Sequence, residues 1–326
     1  MRTNGNTAAG TAGTAAREDA DMAVQERLVR TRGIELWTEE FGDPAHPPLL
    51  LIMGSMAPGP MWPDGLVGRI AAGGRRVIRY DHRDTGRSTA CDFAAAPYTW
   101  VDIKDDVLGL LDALGIERAH LVGHSAGGLL AQWVAAERPE RVATLTAIAA
   151  SPLGRGEGEV LVRALMGEEQ PSGSLPAPLP AFTELFAGAA AAPQPATRAE
   201  LVELQVEAAR VLHGTALPFD EEAQRRVEER LFDRARDPWA FGNHRRAAGA
   251  APGCEPVGAL GAVTAPTLVV EGSHEPVKPG HGARIAAEIA GARLHIVEGM
   301  GHTLPEEAHA ELAELILAHT AAGPPA

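Results

Sequence analysis

The sequence predicts an α/β protein with a mostly parallel central sheet, helices on both faces of that sheet and an inserted helical lid. Short apolar segments alternate with amphipathic ones as far as residue 149, and the alternation resumes at residue 267. Segments such as 48–53 are apolar throughout, as in parallel strands whose two faces are both covered. Between 153 and 253 the chain is rich in Pro and Ala and offers no strand candidate. One sheet interrupted by helices is the simplest architecture with this pattern.

The elements follow from residue periodicity and from the positions of Gly and Pro. The predicted strands are 26–32, 34–41, 48–53, 76–80, 119–122, 142–149, 267–270 and 293–297. The predicted helices are 61–72, 101–114, 127–137, 160–166, 198–212, 220–236, 283–289 and 306–319. We therefore expect a disordered tail over 1–22, a core built from 23–152 and 254–326, and a helical lid over 153–253.

Composition limits the kinds of partner. The chain has 326 residues, 45% of them hydrophobic, and a formal charge of −14. Acidic surface disfavours nucleic acid and anionic membranes, and no apolar stretch approaches the roughly 18 residues of a membrane-spanning helix. Cys91 and Cys254 are far apart, which favours reduced thiols in a cytoplasmic protein, with a single disulfide as the alternative. We expect no metal and no cofactor, and a monomer or homodimer.

A nucleophile elbow is predicted at 123–127, Gly-His-Ser-Ala-Gly. An apolar strand precedes this stretch and an Ala/Leu-rich helix follows it, which is the context in which the G-x-S-x-G pattern carries a serine nucleophile. The flanking glycines leave room for the sharp turn, and the helix that follows directs N–H groups at the site where an oxyanion would form. Ser125 is therefore the predicted nucleophile.

A serine hydroxyl needs a histidine base, and the histidine needs an acid that fixes its tautomer. His302 follows the last strand, after glycine and before a proline, where this chain order places the base. Glu275 lies on the loop after strand 267–270 and is the predicted acid; Glu271, at the strand end, is the second choice. We expect His124 to point away from the serine hydroxyl and His309 to be on the surface.

The backbone N–H groups of Ala126 and Ser55 are the predicted oxyanion donors. An ordinary glycine turn is the alternative for the loop that carries Ser55. The charged loop 81–88 is interpreted as a self-hydrogen-bonded segment beside the cleft. The predicted substrate-contacting residues are Gly54, Met56, Phe186 and Trp239; for the lid aromatics, packing of the lid against the core is an equal alternative.

These motifs resemble those of the α/β-hydrolase superfamily. Longer strings, Phe-Gly-Asp-Pro at 41–44, Tyr-Asp-His-Arg-Asp-Thr-Gly-Arg-Ser-Thr at 80–89, Pro-Phe-Asp at 218–220 and Gly-Met-Gly-His at 299–302, are similar to those of the aclacinomycin methylesterases, serine esterases of anthracycline biosynthesis. The resemblance implies an α/β-hydrolase fold and hydrolysis of a methyl ester on a polycyclic polyketide, with a small-molecule ester as substrate. Glu275 departs from the aspartate of that family.

Two other functions remain open on the residues alone. A non-hydrolytic tailoring enzyme or cyclase would use the same pocket without acylation, and the unusual acid favours it. A binding protein on the same scaffold would gain nothing from an intact serine and histidine. Dehalogenases and epoxide hydrolases of this fold need a carboxylate at position 125, so their mechanism is disfavoured.

Overall fold

The computed structural model describes residues 25–192, 194–249 and 259–321. The predicted tail over 1–22 and Cys254 lie outside those ranges. Eight strands form one sheet in the order β1-β2-β4-β3-β5-β6-β7-β8. They are β1 (Gln25–Thr31), β2 (Ile34–Phe41), β3 (Pro48–Ile52), β4 (Arg76–Tyr80), β5 (Ala119–His124), β6 (Val142–Ile148), β7 (Thr267–Gly272) and β8 (Arg293–Val297).

The sheet is parallel except at one edge. Strands β1 and β2 pair antiparallel across a turn at Arg32 and Gly33, whose φ angles of 48° and 83° suit a tight hairpin. Strand β2 is also antiparallel to β4, and the remaining pairs are parallel. The loops after β3, β5, β7 and β8 therefore emerge at one edge of the sheet, which is where ligands bind in open parallel sheets.

Helices cover both faces of the sheet. Leu50 and Ile52 of β3 pack into one apolar cluster and Leu49 and Leu51 into the other, because successive side chains of a strand point to opposite faces. The first cluster includes residues of α2 (Trp100–Ala113), α3 (Ala126–Glu137) and α9 (His281–Glu288). The second includes residues of α1 (Asp64–Ala72) and α10 (His309–Ala321).

In the described residues between β6 and β7 there are five α-helices. They are α4 (Glu157–Leu165), α5 (Pro180–Ala191), α6 (Arg198–His213), α7 (Glu221–Arg234) and α8 (Asn243–Gly249), and the described part of 153–253 contains no strand. Thr197 and Glu200 form a reciprocal cap at the start of α6, and Asp220 caps α7. The helices α5 and α8 were not predicted. The first has an Ala- and Gly-rich segment behind Pro180, and the second has only seven residues.

Three helix starts and one burial prediction need correction, the first being α4, which begins at Glu157 and not at residue 160. Helix α1 begins at Asp64, since Gly59–Met61 form a 3₁₀ turn, and residues Glu306–Ala308 likewise form a 3₁₀ turn before α10. The prediction that His309 is on the surface was wrong: the residue is 8% exposed and its Nε2 donates to Leu304 O at 3.1 Å. Among the described residues, no helix is both long and apolar enough to cross a bilayer.

Candidate active site

Ser125 occupies a strained turn between β5 and α3. Its φ of 54° and ψ of −122° lie outside the regions that side-chain-bearing residues favour. A Cβ at Gly123 would lie 2.2 Å from Gly127 O, and a Cβ at Gly127 would lie 2.1 Å from Ile52 O. Both glycines are therefore required by the close approach of α3 to the strands. The turn places Ser125 at the edge where the loops meet.

His302 lies beside Ser125. It is carried by the loop that follows β8, and its Nε2 is 3.0 Å from Ser125 Oγ. The backbone N–H of His302 donates to Leu212 O at 2.7 Å, so the end of helix α6 fixes this loop. The ring is 7% exposed. The hydroxyl and the imidazole are thus within hydrogen-bonding distance, with the ring shielded from most of the solvent.

Glu275 binds the other nitrogen of the same ring. Its two carboxylate oxygens are 2.8 and 2.9 Å from His302 Nδ1, so Nδ1 carries the proton and Nε2 is free to accept from Ser125. Oε1 also accepts from Val277 N–H and Lys278 N–H at 2.7 and 3.1 Å. Burial alone would raise the pKa of Glu275, but the charge of His302 and these hydrogen bonds lower it below its ordinary value. The carboxylate is therefore ionised.

Glu271, the second-choice acid, is occupied elsewhere. It lies on β7 and accepts from the backbone N–H groups of Gly280 and Gly282 at 2.5 and 2.7 Å. Burial raises its pKa. These bonds tie the strand end to the start of α9, and His302 is bound by Glu275 instead.

His124 contacts both the backbone and the ring of His302. Its Nε2 donates to the backbone oxygen of His302 at 2.7 Å, and the two rings lie 5.0 Å apart. Burial, together with the charge on His302, lowers the pKa of His124 to about 3. This imidazole therefore stays neutral, and it holds the loop that carries His302.

One predicted oxyanion amide adjoins Ser125 in sequence, and the other follows Gly54, which contacts Ser125. Ala126 is the first residue of α3, and a Cβ at Gly54 would lie 3.2 Å from Ser125 Cβ, which places the Gly54–Ser55 segment against the serine. Within the described ranges, the hydrogen bonds include none donated by Ala126 N–H or Ser55 N–H. Their role as oxyanion donors stays a prediction.

The loop 81–88 does more than bond to itself. Internal bonds are present, since Ser88 Oγ donates to Asp81 O at 2.7 Å and Thr85 Oγ1 donates to His82 O at 2.9 Å. The buried carboxylate of Asp81, however, also pairs with Arg234 of α7 at 2.9 Å. The loop is therefore a docking surface for the lid, which its sequence did not reveal.

The predicted substrate contacts lie in three places. Gly54 is against the serine, and Met56 N–H donates to His244 Nδ1 at 2.9 Å. The ring of Phe186 on α5 is partly buried, and Arg245 lies over it at 5.3 Å. Trp239 is 40% exposed and packs edge-on against Phe232 at 5.8 Å, within the lid. Substrate contact by Phe186 and Trp239 stays a prediction.

Two lid groups at the site were not predicted. They are the Leu212 carbonyl, which holds the loop of His302, and the His244 ring, which holds Met56. Nothing local in the segment Asn-His-Arg-Arg at 243–246 marks a role at the site. Across the described parts of the chain, no group of three or more His, Cys, Asp or Glu side chains could hold a metal ion.

Comparisons with known proteins identify the family of the chain. A model of the alpha/beta hydrolase family matches residues 49–315. Two rhodomycin D methylesterases, DnrP of Streptomyces peucetius and DauP of Streptomyces sp. (strain C5), are each 39% identical to the chain over 300 residues, which cover 91% of this chain and 98% of theirs. The enol-lactonase of Burkholderia xenovorans LB400 shares the fold at 22% identity, with a TM-score of 0.66 and coverage of 90% and 100%. The predicted family is confirmed: the chain belongs to the alpha/beta hydrolase family and is an ester hydrolase of that family.

Proposed function

We propose that this ester hydrolase cleaves a methyl ester of a polycyclic, polyketide-type molecule through a covalent seryl intermediate. The observation that carries the proposal is the continuous hydrogen-bonded chain from Glu275 through His302 to Ser125, with distances of 2.8 and 3.0 Å. This order of acid, imidazole and hydroxyl is the one that activates a serine nucleophile.

In the acylation step, His302 Nε2 takes the proton of Ser125 Oγ as this oxygen bonds to the ester carbonyl carbon. The carbonyl oxygen becomes an oxyanion, which accepts hydrogen bonds from Ala126 N–H and Ser55 N–H. The bond from carbon to the alkoxy oxygen then breaks, and the imidazolium returns its proton to that oxygen, releasing methanol. Glu275 stays ionised and stabilises the imidazolium throughout.

In the deacylation step, His302 takes a proton from water, whose oxygen attacks the acyl carbon. The second tetrahedral intermediate uses the same two amides. Its collapse breaks the bond to Ser125 Oγ, which regains the proton from the imidazolium. The products are a free carboxylic acid and the original enzyme.

The substrate class is supported by the relatives and by the lid. Both rhodomycin D methylesterases align with the chain over nearly their whole length. Phe186 and Trp239 on the lid are large aromatic side chains that retain exposed surface, which suits contact with a flat aromatic ligand.

The longer acid no longer favours a non-hydrolytic alternative. That alternative depended on Glu275 failing to reach the base, and its carboxylate oxygens lie 2.8 and 2.9 Å from His302 Nδ1. The extra methylene is accommodated by the loop that also supplies the Val277 and Lys278 amides.

Hydrolysis of p-nitrophenyl acetate by the wild type and by Ser125→Ala tests the chemistry. We expect the variant to lose on the order of 10⁵ to 10⁶ in kcat, as when a serine nucleophile is removed. Equal rates from the two proteins would exclude Ser125 as the nucleophile.

Polycyclic methyl esters, with matched ethyl and amide analogues, test the substrate class. Mass analysis should show a product that is lighter by one methylene, together with free methanol. Turnover of p-nitrophenyl acetate without turnover of any polycyclic methyl ester would leave the esterase mechanism standing and reject the substrate class.

A further inference from the structure

The loop that carries Ser55 adopts a conformation that it cannot hold alone. It follows β3 and runs from Met53 to Ala57, and its internal hydrogen bond from Ala57 N–H to Gly54 O is long, at 3.4 Å. Met56 has a φ of 66°, in the left-handed region that side-chain-bearing residues avoid. Such a conformation persists only where neighbouring groups determine it.

His244 of the lid holds one end of this loop. Its Nδ1 accepts from Met56 N–H at 2.9 Å, and its Nε2 donates to Arg83 O at 2.8 Å. Because a carbonyl oxygen can only accept, Nε2 must carry the proton and Nδ1 must be the acceptor. One neutral tautomer therefore satisfies both bonds. Burial lowers the pKa of His244 to about 4, which keeps the ring in that form at neutral pH.

His82 of the core holds the other end. Its Nε2 donates to Met53 O at 2.9 Å, and its Nδ1 lies 3.3 Å from Tyr80 Oη, which donates to it. Burial lowers the pKa of His82 to about 3. The rings of His82 and His244 meet edge to face at 5.9 Å. The loop is thus bracketed by two neutral imidazoles, one from the core and one from the lid.

The position of His244 is itself fixed by polar contacts with the core. Asn243 donates to Asp84 Oδ2 and to Cys91 O at 3.1 and 3.2 Å. The guanidinium of Arg83 makes two bonds of 2.6 Å to Asp106, which fixes the residue whose carbonyl His244 binds. Helix α8 therefore presents the imidazole to the loop from a rigid support.

We infer that His244 is a positioning residue for the oxyanion hole. By binding Met56 N–H, His244 directs this amide toward the lid. The preceding amide, Ser55 N–H, then stays available to the oxyanion. The inference rests on the proposed function, in which Ser55 N–H is an oxyanion donor. His244 acts through the backbone of the loop, since its ring binds Met56 N–H and Arg83 O and not Ser125.

Three substitutions separate the two bonds of His244. His244→Asn places an amide oxygen near the position of Nδ1 and can accept from Met56, whereas His244→Gln places an amide nitrogen near Nε2 and can bind only Arg83 O. His244→Ala loses both. With p-nitrophenyl acetate, we expect kcat to fall about 10- to 100-fold for the alanine and glutamine variants, with KM within about threefold, since an oxyanion donor acts in the transition state. The asparagine variant should recover to within about fivefold of the wild type.

His319→Asn is the matched control. His319 is also a buried imidazole, and its Nε2 donates at 3.1 Å to Leu145 O of β6 and to Pro266 O just before β7. We expect this variant to lose stability while keeping kcat. Three results would each overturn the inference: an alanine variant with kcat within twofold of the wild type, equal kcat for the asparagine and glutamine variants, or a loss carried by KM.

The rate of amide hydrogen exchange at Met56 reports whether the loop is held, and it can be measured without catalytic turnover. In a Ser125→Ala background, exchange should be slow with His244 present, at least about tenfold faster with alanine and slow again with asparagine. Unchanged exchange in the alanine variant would overturn the loop contact. Equal hydrolysis by the wild type and Ser125→Ala would instead reject the proposed function, and the exchange rates would still decide whether His244 holds the loop.

Discussion

The core and the lid contribute to the same site by different physical means. In the core, close steric contact places Ser125: Gly123 and Gly127 have no room for a Cβ. In the lid, the residues that touch the site do so through hydrogen bonds and ion pairs, such as Arg234 with Asp81 and His244 with Met56. The core therefore fixes the position of Ser125, and the lid contacts the loops that surround it.

The difference also appears in burial. The largest side chains of the core, among them Trp62 and Trp133, are almost completely buried, whereas the lid exposes Val162, Met166 and Trp239 by 40% or more. Substitutions in the core should therefore act on chemistry or on global stability, and those in the lid on local docking.

Replacement of the acid should have the largest effect. We expect Glu275→Gln to lower kcat by on the order of 10⁴, because the amide can no longer fix the tautomer of His302 or stabilise its charge. Steady-state kinetics at neutral pH measure this. Glu271→Gln is the control, a buried carboxylate at the same strand end that binds the Gly280 and Gly282 amides. Similar losses of kcat in both variants would contradict the role of Glu275.

The core part of the site could be predicted because its constraints are local in sequence. Gly123, Ser125 and Gly127 lie within five residues, and His302 and Glu275 each follow a strand of the predicted parallel sheet. Parallel strands bring the loops at their carboxyl ends to one edge, so chain order alone brought these residues together. The assignment of Glu275 over Glu271 followed from loop position in the same way, and their catalytic roles stay proposals.

A methyl group added at Gly127 of the elbow should cause the next largest effect, a loss of stability. Gly127→Ala would place a Cβ 2.1 Å from Ile52 O, a backbone atom of a central strand that cannot move aside. We expect a loss of about 3 kcal/mol or more in the free energy of unfolding. Urea denaturation measures it. The control is Gly68→Ala on α1, where a Cβ meets nothing within 4 Å and should add up to about 1 kcal/mol. Equal stability of the two variants would show that the elbow is not sterically closed.

Loss of the lid's ion pair should come third. Asp81 is fully buried and also accepts from Gly59 N–H and Arg87 N–H, at 2.8 and 2.7 Å. Burial raises the pKa of Asp81, and Arg234 opposes this rise. Arg234→Met would leave the carboxylate without its cation, at a cost of about 2–3 kcal/mol, and we expect faster proteolysis within the lid.

A surface pair of the same lid provides the comparison. Arg225 of α7 pairs with Glu203 and Glu221, and all three side chains are partly exposed to solvent. Arg225→Met should leave the free energy of unfolding almost unchanged, because solvent screens exposed ion pairs. If both arginine variants lost the same stability and were cut at the same rate, the pair with Asp81 would not be the contact that docks the lid.

The lid contacts could not be predicted because they join residues far apart in sequence without a fixed topology. Asp81 and Arg234 are separated by more than 150 positions, as are Met56 and His244. A parallel sheet dictates where its loops emerge, but five helices can pack over those loops in many ways. Loop 81–88 directly follows β4, at the same edge of the sheet as the site. This position could have indicated that the charged side chains of the loop contact another segment of the chain.

Lowering the pH should have the smallest effect on stability per titrating residue, and it should affect both the core and the lid. His120 of β5 lies away from the site, and its Nδ1 bonds to Thr144 Oγ1 at 2.9 Å. Burial, followed by the charges of Arg75, His319 and Arg118, lowers its pKa to about 4. Between about pH 6.5 and 4 the unfolded chain therefore binds a proton that the folded chain does not, so stability present above pH 6.5 is lost as the pH falls.

His120→Asn can keep the bond to Thr144 but has no imidazole to protonate. The variant should therefore lack this difference in bound protons between the unfolded and the folded chain. We expect the stability lost by the wild type between pH 7 and pH 5 to shrink by about 1–2 kcal/mol in the variant. Urea denaturation at the two pH values measures the change. Because the lid imidazole of His244 has a similarly lowered pKa, His244→Asn should reduce the same loss if the lid unfolds together with the core. A reduction with His120→Asn alone would show that the lid detaches before the sheet unfolds, which would separate the two regions energetically as well as structurally.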